Sequence, residues 1–547
     1  MHKEKWTINN IRDWNVISLV RQQAKKYGER TFITFENGRS ITFKGLDRQS
    51  DEFAYALKKL DINSGDRIFC VLKNTPDFLI SMFGIMKAQA IFVPINTALK
   101  GAFLQHQFTN CAPKMVILEQ SFVKAFEGLI PLDPNLYGVI VSGNDRDMEL
   151  PEALDAQKIY SFTDFMKGGE NCPTSTFIPS IHSICAIMYT SGTSGPSKGV
   201  LLPHGHFFSY AVGQVENLKQ TEDDIYYICM PLFHVNGLNC QFFGSLLAGS
   251  TIFCVERFST KNWLRHCIAS SATLTNSLGV MTEFIFNTPE TEFDQNHSLR
   301  LICAVPISRE WGKKFQKRFG VKLYQLFGMT ESGIVFWGDL DDDELVPGCT
   351  GYLKSDLYEA IIANPENDEI LKEGEIGELL IRPRHAGIFS SGYFEMPEKT
   401  LEAWRNLWFH TGDACYFDYK GRMHFFDRIK DCIRRRGENI SAYEVEQALN
   451  SYDLVEESAV IGVKTEDEGG EEEVLAIVVV ANKDKFDFEK FLEYCELTMP
   501  KFAIPRFIQI ADNLPKTSSG KLSKAIFRIE GYSQDAWDRE NTILKTV

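Results

Sequence analysis

One segment restricts the folds open to this chain more than any other: Tyr189-Thr190-Ser191-Gly192-Thr193-Ser194-Gly195-Pro196-Ser197-Lys198-Gly199-Val200, whose start is the end of an apolar run, Ala186 to Thr190. A buried strand that empties into glycines, hydroxyls and a lysine is the grammar of an α/β protein, in which ligands bind beyond the ends of sheet strands. Gly192, Gly195 and Gly199 let the backbone approach a ligand closely and present its N–H groups as an anion nest. Thr190, Ser191, Thr193 and Ser194 add hydroxyl donors, and Lys198 adds a point charge. By chemistry this is a phosphate loop. It is not a Walker A loop, because no glycine stands at the required spacing before Gly-Lys-Ser/Thr, and G-x-G-x-x-G is also absent.

The remaining sequence keeps the same grammar. Phe32 to Phe35, a turn at Asn37-Gly38 and Ile41 to Phe43 predict a hairpin, and Leu46, Phe53, Ala54, Leu57 and Leu60 recur at helical spacing behind it. Ile68 to Leu72 reads as a buried strand, Phe78 to Met86 as a helix, Ile91 to Val93 as a strand, and Tyr226 to Cys229 as a strand running into Pro231. A β-rich stretch, Met423 to Phe426, ends in the alternating charges of Asp427 to Asp431. Beyond it, helix Ala442 to Leu449, strands Ser458 to Val463 and Val474 to Val480, and helix Phe486 to Leu497 make an α+β unit of roughly 115 residues, an ordinary domain size. A chain of 547 residues needs more than one core in any case, since a single core stops growing near ~250–300 residues. The expected fold is α/β: a large N-terminal domain of mixed sheets and helices over residues 1–428, and a small α+β C-terminal domain over residues 431–547.

Composition excludes several function classes. Lys and Arg total 58 against 73 Asp and Glu, a net charge of −15, so the molecule lacks the basic field that nucleic-acid binding needs, and phosphates must be held locally. The longest apolar run, Val474 to Ala481, is far short of the ~18 residues of a membrane span. The N-terminus shows no signal-peptide apolar core, so a soluble cytoplasmic protein is expected. The 13 cysteines are odd in number and the closest two are Cys229 and Cys240, which suggests neither a C-x-x-C site nor a disulfide framework.

Further stretches follow the loop in order: Tyr324-Gln325-Leu326-Phe327-Gly328-Met329-Thr330-Glu331, Phe409-His410-Thr411-Gly412-Asp413, Asp427-Arg428-Ile429-Lys430-Asp431, and Pro515-Lys516-Thr517-Ser518-Ser519-Gly520-Lys521. Together with the loop they resemble the signature of the adenylate-forming superfamily, which includes acyl-CoA synthetases, firefly-luciferase-like enzymes and peptide-synthetase adenylation domains. The resemblance runs from about residue 15 to about residue 525. It implies ATP, Mg²⁺ and coenzyme A as cofactors and co-substrates, and a nucleotide site made of the loop from Thr190 to Gly195, Lys198, the Gln325 to Thr330 stretch, Asp413, Phe425, Arg428 and Lys521. Phe327 would lie against adenine where relatives usually have Tyr, Thr330 would bond phosphate, and Glu331 would hold Mg²⁺, an oxygen-ligand task. Asp413, read as a turn residue, would accept from the ribose hydroxyls and Arg428 would reach the same sugar. Lys430, with residues 429–430 as hinge, would be the pivot of a mobile C-terminal lid. Lys521 would stabilise the oxyanion that develops in adenylation. Thr190, Glu331, His234 and Lys521 form the implied catalytic set.

The implied reaction is activation of a carboxylic acid as acyl-AMP with loss of pyrophosphate, then transfer to a thiol. Coenzyme A is the favoured thiol, because no carrier-protein segment follows residue 525, and Arg434-Arg435-Arg436-Gly437-Glu438 resembles the loop at the pantetheine tunnel. A free-standing adenylation enzyme loading a carrier protein is the alternative. Met230 to Gly237 resembles an acyl-pocket wall with His234 as gate beside Val235 and Asn236. Gly279 and Ala304-Val305 match other pocket segments, with Val305 bulkier than the usual Ala and so predicting a shortened pocket. The texture is nearest to crotonobetaine/carnitine-CoA ligase-like members. A homodimer is left open.

Overall fold

The computed structural model describes residues 8–131, 136–143, 150–190, 197–307, 311–341, 345–429, 431–435, 438–464, 472–499, 501, 503–516, 522–533 and 535–540. Two seven-stranded sheets form its heart. In the first, the order is Lys158–Ser161, Gly138–Ser142, Met115–Glu119, Arg67–Val71, Ile91–Pro94, Ile184–Thr190 and Lys198–Pro203, all parallel except the last pair. In the second, Lys322–Tyr324, Leu301–Val305, Leu274–Leu278, Ile225–Ile228, Thr251–Cys254 and Thr31–Phe35 run parallel, and the hairpin partner Ser40–Thr42 closes the edge.

Parallel sheets are covered on both faces, which is why these strands read as near-continuous apolar runs. Strand Ile184–Thr190 shows it: Ala186 and Met188 enter the largest core, while Ile187 enters a separate one on the opposite face. That largest core gathers residues of both sheets, such as Ile68 and Cys70 with Ile228 and Ile252, around helices Phe43–Lys58, Pro76–Lys87 and His204–Asn217. Helix Pro76–Lys87 starts with proline at its first turn, where no N–H partner is lost. It ends on Lys87, which is wholly buried and held by Asp47 (2.6 Å) and Asp51 (2.9 Å), since a charge so placed needs opposite charges beside it.

An eight-stranded sheet follows, ordered Leu326–Met329, Gly333–Trp337, Cys349–Leu353, Met423–Arg428, Trp408–Phe417, Gly377–Pro383 and Tyr358–Ala363, with Trp404–Arg405 alongside Trp408–Phe417. All its pairs are antiparallel. After residue 431 the chain makes a short pair, Cys432–Arg435 with Glu438–Ser441, and a four-stranded sheet, Val455–Lys464, Glu472–Val480, Phe507–Ala511 and Trp537–Asp538. Helices Ala442–Asn450 and Phe488–Thr498 contribute to the core on one face of that sheet, and Asp487 caps the second by accepting from the Glu489 and Lys490 N–H groups. The two regions touch at Asp427, whose carboxylate accepts from the Tyr443 N–H at 3.1 Å. Among the described residues no helix is long and apolar enough to cross a membrane.

Candidate active site

The base of the phosphate loop is fixed by strand pairing. Thr190 and Lys198 are partners across the antiparallel strands Ile184–Thr190 and Lys198–Pro203, and the Thr190 hydroxyl lies 3.4 Å from the Lys198 carbonyl. His106 contacts the Ser197 carbonyl (2.9 Å) and Gln107 donates to the Ser197 hydroxyl (3.0 Å), so a helix of the first sheet anchors the exit of the loop. Ser191, Gly192, Thr193, Ser194 and Gly195 lie outside the described residues, as do Lys430, Arg436, Gly437 and Lys521.

The stretch carrying Phe327 to Glu331 is a tight hairpin between Leu326–Met329 and Gly333–Trp337, with Thr330 and Glu331 at its turn. Its backbone is pinned from helix His204–Asn217. Tyr210 donates to the Met329 carbonyl at 2.5 Å, and His206 contacts the Thr330 and Ile388 carbonyls at 2.8 and 2.9 Å. Burial pushes the His206 pKa down, against the pull of those carbonyls. The Glu331 carbonyl accepts from the Ser390 N–H at 3.0 Å. The Glu331 carboxylate is buried and takes a 2.9 Å hydrogen bond from the Tyr393 hydroxyl. The Lys198 ammonium lies 4.3 Å from the centre of the same Tyr393 ring, so one side chain touches both the loop cation and the hairpin carboxylate.

Asp413 corrects a sequence expectation. It is not an exposed turn residue: Thr411-Gly412-Asp413 sits within strand Trp408–Phe417, and Asp413 is buried. Gly412 has φ of 71°, a left-handed value that kinks the strand there, and its carbonyl accepts from the Ile429 N–H at 2.9 Å. Asp413 faces Arg428 across the strand pair, with the Arg428 Nε 2.8 Å from its Oδ1. Arg428, the last residue of its strand, keeps 41% of its side chain exposed while Asp413 keeps 1%, so the carboxylate is buried and the cation reaches toward solvent. Phe425 lies on the same strand, Met423–Arg428, and is half-buried.

Other expectations are redirected. The Gln325 amide, oriented to satisfy both its ends, donates to the Cys349 and Val346 carbonyls (3.0 and 3.3 Å) and accepts from the Ile307 N–H (3.1 Å). Its side chain therefore ties loops together and is not offered to a nucleotide. Arg435, expected to meet coenzyme A, is turned inward and paired with Glu473 at 2.8 Å, with 4% and 0% of the side chains exposed. A guanidinium committed to a buried carboxylate is not available to a surface phosphate. Arg434 and Glu438 stand on the paired strands Cys432–Arg435 and Glu438–Ser441.

Around the acyl segment, His234 is half-buried, with its ring 4.7 Å from that of Phe233, and Val235 and Asn236 follow it into a π-helical turn, Asn236–Phe242. Buried Asn74 clamps the preceding bend by donating to the Met230 and Val255 carbonyls (3.0 Å each) and accepting from the Leu232 N–H (2.8 Å). Gly279 packs so closely on Pro306 that a Cβ would come within 2.7 Å of the Pro306 carbonyl oxygen, which brings the two outer pocket segments into contact. Ala304 and Val305 do not share a wall. Successive strand residues face opposite ways, so Ala304 enters a core behind the sheet while Val305 packs on the front.

Sequence reasoning missed His206, Tyr210, Asn74 and Tyr393. A Ser390-Ser391-Gly392-Tyr393 run was the visible signal for the last of them; His206 and Tyr210 lie in an aromatic-rich helical run that reads as core, and Asn74, in Lys73-Asn74-Thr75-Pro76, reads as an ordinary turn residue.

Comparison with known proteins places the chain in a family. The sequence profile of AMP-binding enzymes matches residues 20–394, and that of the AMP-binding enzyme C-terminal domain matches residues 444–521. The chain is 28% identical over 515 residues to a crotonobetaine/carnitine–CoA ligase of Salmonella paratyphi A, covering 92% of this chain and 96% of that one. A similar ligase of Citrobacter koseri is also 28% identical, over 513 residues, with the same coverage. Among solved structures, ATP-bound MatB from Rhodopseudomonas palustris superposes with a TM-score of 0.80 at 24% identity, covering 94% of this chain and 99% of that one. An o-succinylbenzoate CoA synthetase (MenE) from Bacillus subtilis holding its acyl-adenylate intermediate gives 0.76 at 24% identity, covering 96% and 99%. With both profiles matched in order on this fold, the chain belongs to the AMP-binding enzyme family.

Proposed function

We propose that the protein is an ATP-dependent carboxylic acid–coenzyme A ligase that works through an acyl-AMP intermediate. The observation that carries the reading is the Lys198–Tyr393–Glu331 chain, which joins the cation of the phosphate loop to the hairpin carboxylate at one place. The named functions of the ligase relatives support it. Glu331 fits Mg²⁺: a buried carboxylate at a hairpin turn is a hard oxygen ligand, and this ion is commonly held by one or two carboxylates together with substrate phosphates. When bound, the ion would neutralise charge on the ATP phosphates.

In this reading Lys198 draws the polyphosphate toward the loop, Asp413 and Arg428 orient the ribose, and Phe327 lies against the base. The acid's carboxylate then attacks the α-phosphorus in line, and pyrophosphate leaves. Lys521 supplies positive charge in that step only. Residues 431–547 then turn about Lys430, and the thiol of coenzyme A attacks the acyl carbonyl, with AMP leaving.

The acid is a compact one that carries a hydrogen-bond acceptor. Behind the acyl segment, Gln214 donates to the Tyr226 hydroxyl (2.7 Å), Tyr226 bonds to the Asn276 amide oxygen, and Asn276 donates to Asn236 Oδ1 (2.8 Å). Gln241 donates to the same oxygen at 2.9 Å. Two donors on Oδ1 fix the Asn236 amide and leave its NH₂ to offer to a ligand. A long alkyl chain laid against Asn236 would leave that NH₂ without an acceptor, at a cost of about 1–3 kcal/mol.

Pyrophosphate exchange across a panel of acids tests this. Short acids with a distal carbonyl, hydroxyl or carboxylate should exchange well and octanoate or palmitate poorly, and coenzyme A should release AMP where a carrier-protein phosphopantetheine does not. No exchange with any acid would refute the ligase reading, and preference for palmitate would refute the polar wall.

A further inference from the structure

Tyr393 lies outside the motifs that define the nucleotide site, yet the fold spends several contacts on placing it. The Ser391 N–H donates to the Leu201 carbonyl, the Leu201 N–H to Gly392, and the Phe394 N–H to Gly199, at 2.9, 2.9 and 2.7 Å. The segment is thereby laid as an extra strand along the one that begins at Lys198, with Val200 and Tyr393 opposite each other. Thr400 takes the Tyr393 N–H at 3.0 Å, and Ser390 binds the Glu331 carbonyl at 3.0 Å. A single short run of chain thus bridges the phosphate-loop strand and the hairpin of Glu331.

At the centre of the run, the side chain meets two opposite charges through two different parts. Its ring is 4.3 Å from the Lys198 ammonium, and its hydroxyl is 2.9 Å from Glu331 Oε1. Tyr393 is only 6% exposed. The phenol hydroxyl donates to the Glu331 carboxylate, which can only accept. In so dry a place a lysine and a glutamate left within reach of each other would close into an ion pair. Such a pair would remove the cation from the phosphates and the anion from the metal.

We propose that Tyr393 is a positioning residue that holds Lys198 and Glu331 apart, its ring face keeping the ammonium for ATP phosphate and its hydroxyl turning the carboxylate toward the metal ion. The inference rests on the ligase reading, in which Glu331 is the metal ligand. The hydrogen bond from the phenol fixes the orientation of the carboxylate that would hold the ion. The two parts of the side chain are separable. Tyr393→Phe removes only the hydroxyl, whereas Tyr393→Leu removes the ring face as well.

The test uses the full-length enzyme with a non-hydrolysable ATP analogue. Mn²⁺ binding is followed by electron paramagnetic resonance, and metal-free binding of the analogue by calorimetry. Tyr393→Phe should weaken Mn²⁺ about 10-fold, in keeping with loss of a hydrogen bond to a charged group, and leave metal-free analogue binding within a factor of two. Tyr393→Leu should weaken both, because Lys198 is then free to fall onto Glu331. Glu331→Gln should weaken Mn²⁺ on its own, and the double variant Tyr393→Phe/Glu331→Gln should be no worse than Glu331→Gln alone, since the hydroxyl acts through the carboxylate. Wild-type Mn²⁺ affinity in Tyr393→Phe with a lowered melting temperature would overturn the proposal and make Tyr393 a packing residue. If Tyr393→Phe weakens Mn²⁺ but adds in full to Glu331→Gln, positioning is also refuted. Wild-type Mn²⁺ affinity in Glu331→Gln itself would locate the failure in the ligase site assignment.

Discussion

Arg428 and Arg435 stand on successive strands, Met423–Arg428 and Cys432–Arg435, and each faces a carboxylate at 2.8 Å. In sequence the second belongs to a run of three arginines and looks the more suited to a phosphate. The structure reverses that ranking. Arg428 pairs with Asp413 at the end of its own strand and keeps 41% of its side chain exposed, whereas Arg435 and Glu473 are closed inside the C-terminal region. Arg506 and Arg539 lie near enough to feel the Glu473 charge. What separates a half-solvated arginine from a buried one is therefore which partner it meets and how much water remains, and neither is written in the local sequence.

The largest effect expected from this contrast is on stability. Glu473→Gln leaves the Arg435 charge buried with a neutral partner and should cost about 3–5 kcal/mol, read as a drop in the denaturation midpoint. The double variant Arg435→Met/Glu473→Leu should recover most of the loss, because two apolar side chains of similar volume carry no desolvation penalty. Its KM for coenzyme A should equal that of the wild type. A well-folded double variant with a raised KM for coenzyme A would put Arg435 back among the coenzyme A contacts.

Asp413→Asn probes the other member of the comparison. Arg428 remains partly solvated when its partner is neutralised, so the melting temperature should move little. The KM for ATP in pyrophosphate exchange should rise ~10-fold or more, the worth of about 1.5–3 kcal/mol for a charge-assisted hydrogen bond to ligand. A lowered melting temperature with unchanged KM would make this pair a second structural one.

How far the sequence is legible follows the same line. The hairpin at Asn37-Gly38, the buried strands and the helix before residue 88 are set by local periodicity and turn chemistry, and they fall within a residue or two of expectation. Lys198 and Glu331 carry their chemistry in the residue type. The kinked strand that buries Asp413 was legible only as a turn, because Thr-Gly-Asp suits a turn and the long antiparallel partner lies beyond local reach. Gln325 looked like a ligand contact because its destination, the Val346 to Cys349 loop, is fixed by tertiary packing. Tyr393 and Glu331 are far apart in the chain, as are His206 and Thr330, and no spacing rule reaches that far.

The smallest effect concerns a buried group that has no charged partner to offset it. His204 opens helix His204–Asn217, is 3% exposed, and its Nδ1 has no hydrogen-bond partner among the described residues. Burial alone pushes its pKa down to about 3. The folded state then binds a proton less readily than the unfolded chain, whose histidine titrates near ~6.5. Stability is fully present above that value and is lost as pH falls toward about 3, by about 1.4 kcal/mol per unit across the interval. Between pH 7 and pH 5, urea denaturation of the wild type should therefore lose about 2 kcal/mol more than that of His204→Gln, in which His206 and every carboxylate are retained. Parallel pH profiles for the two proteins would mean that water reaches His204, and that Arg435 rather than this histidine marks how dry the interior can be.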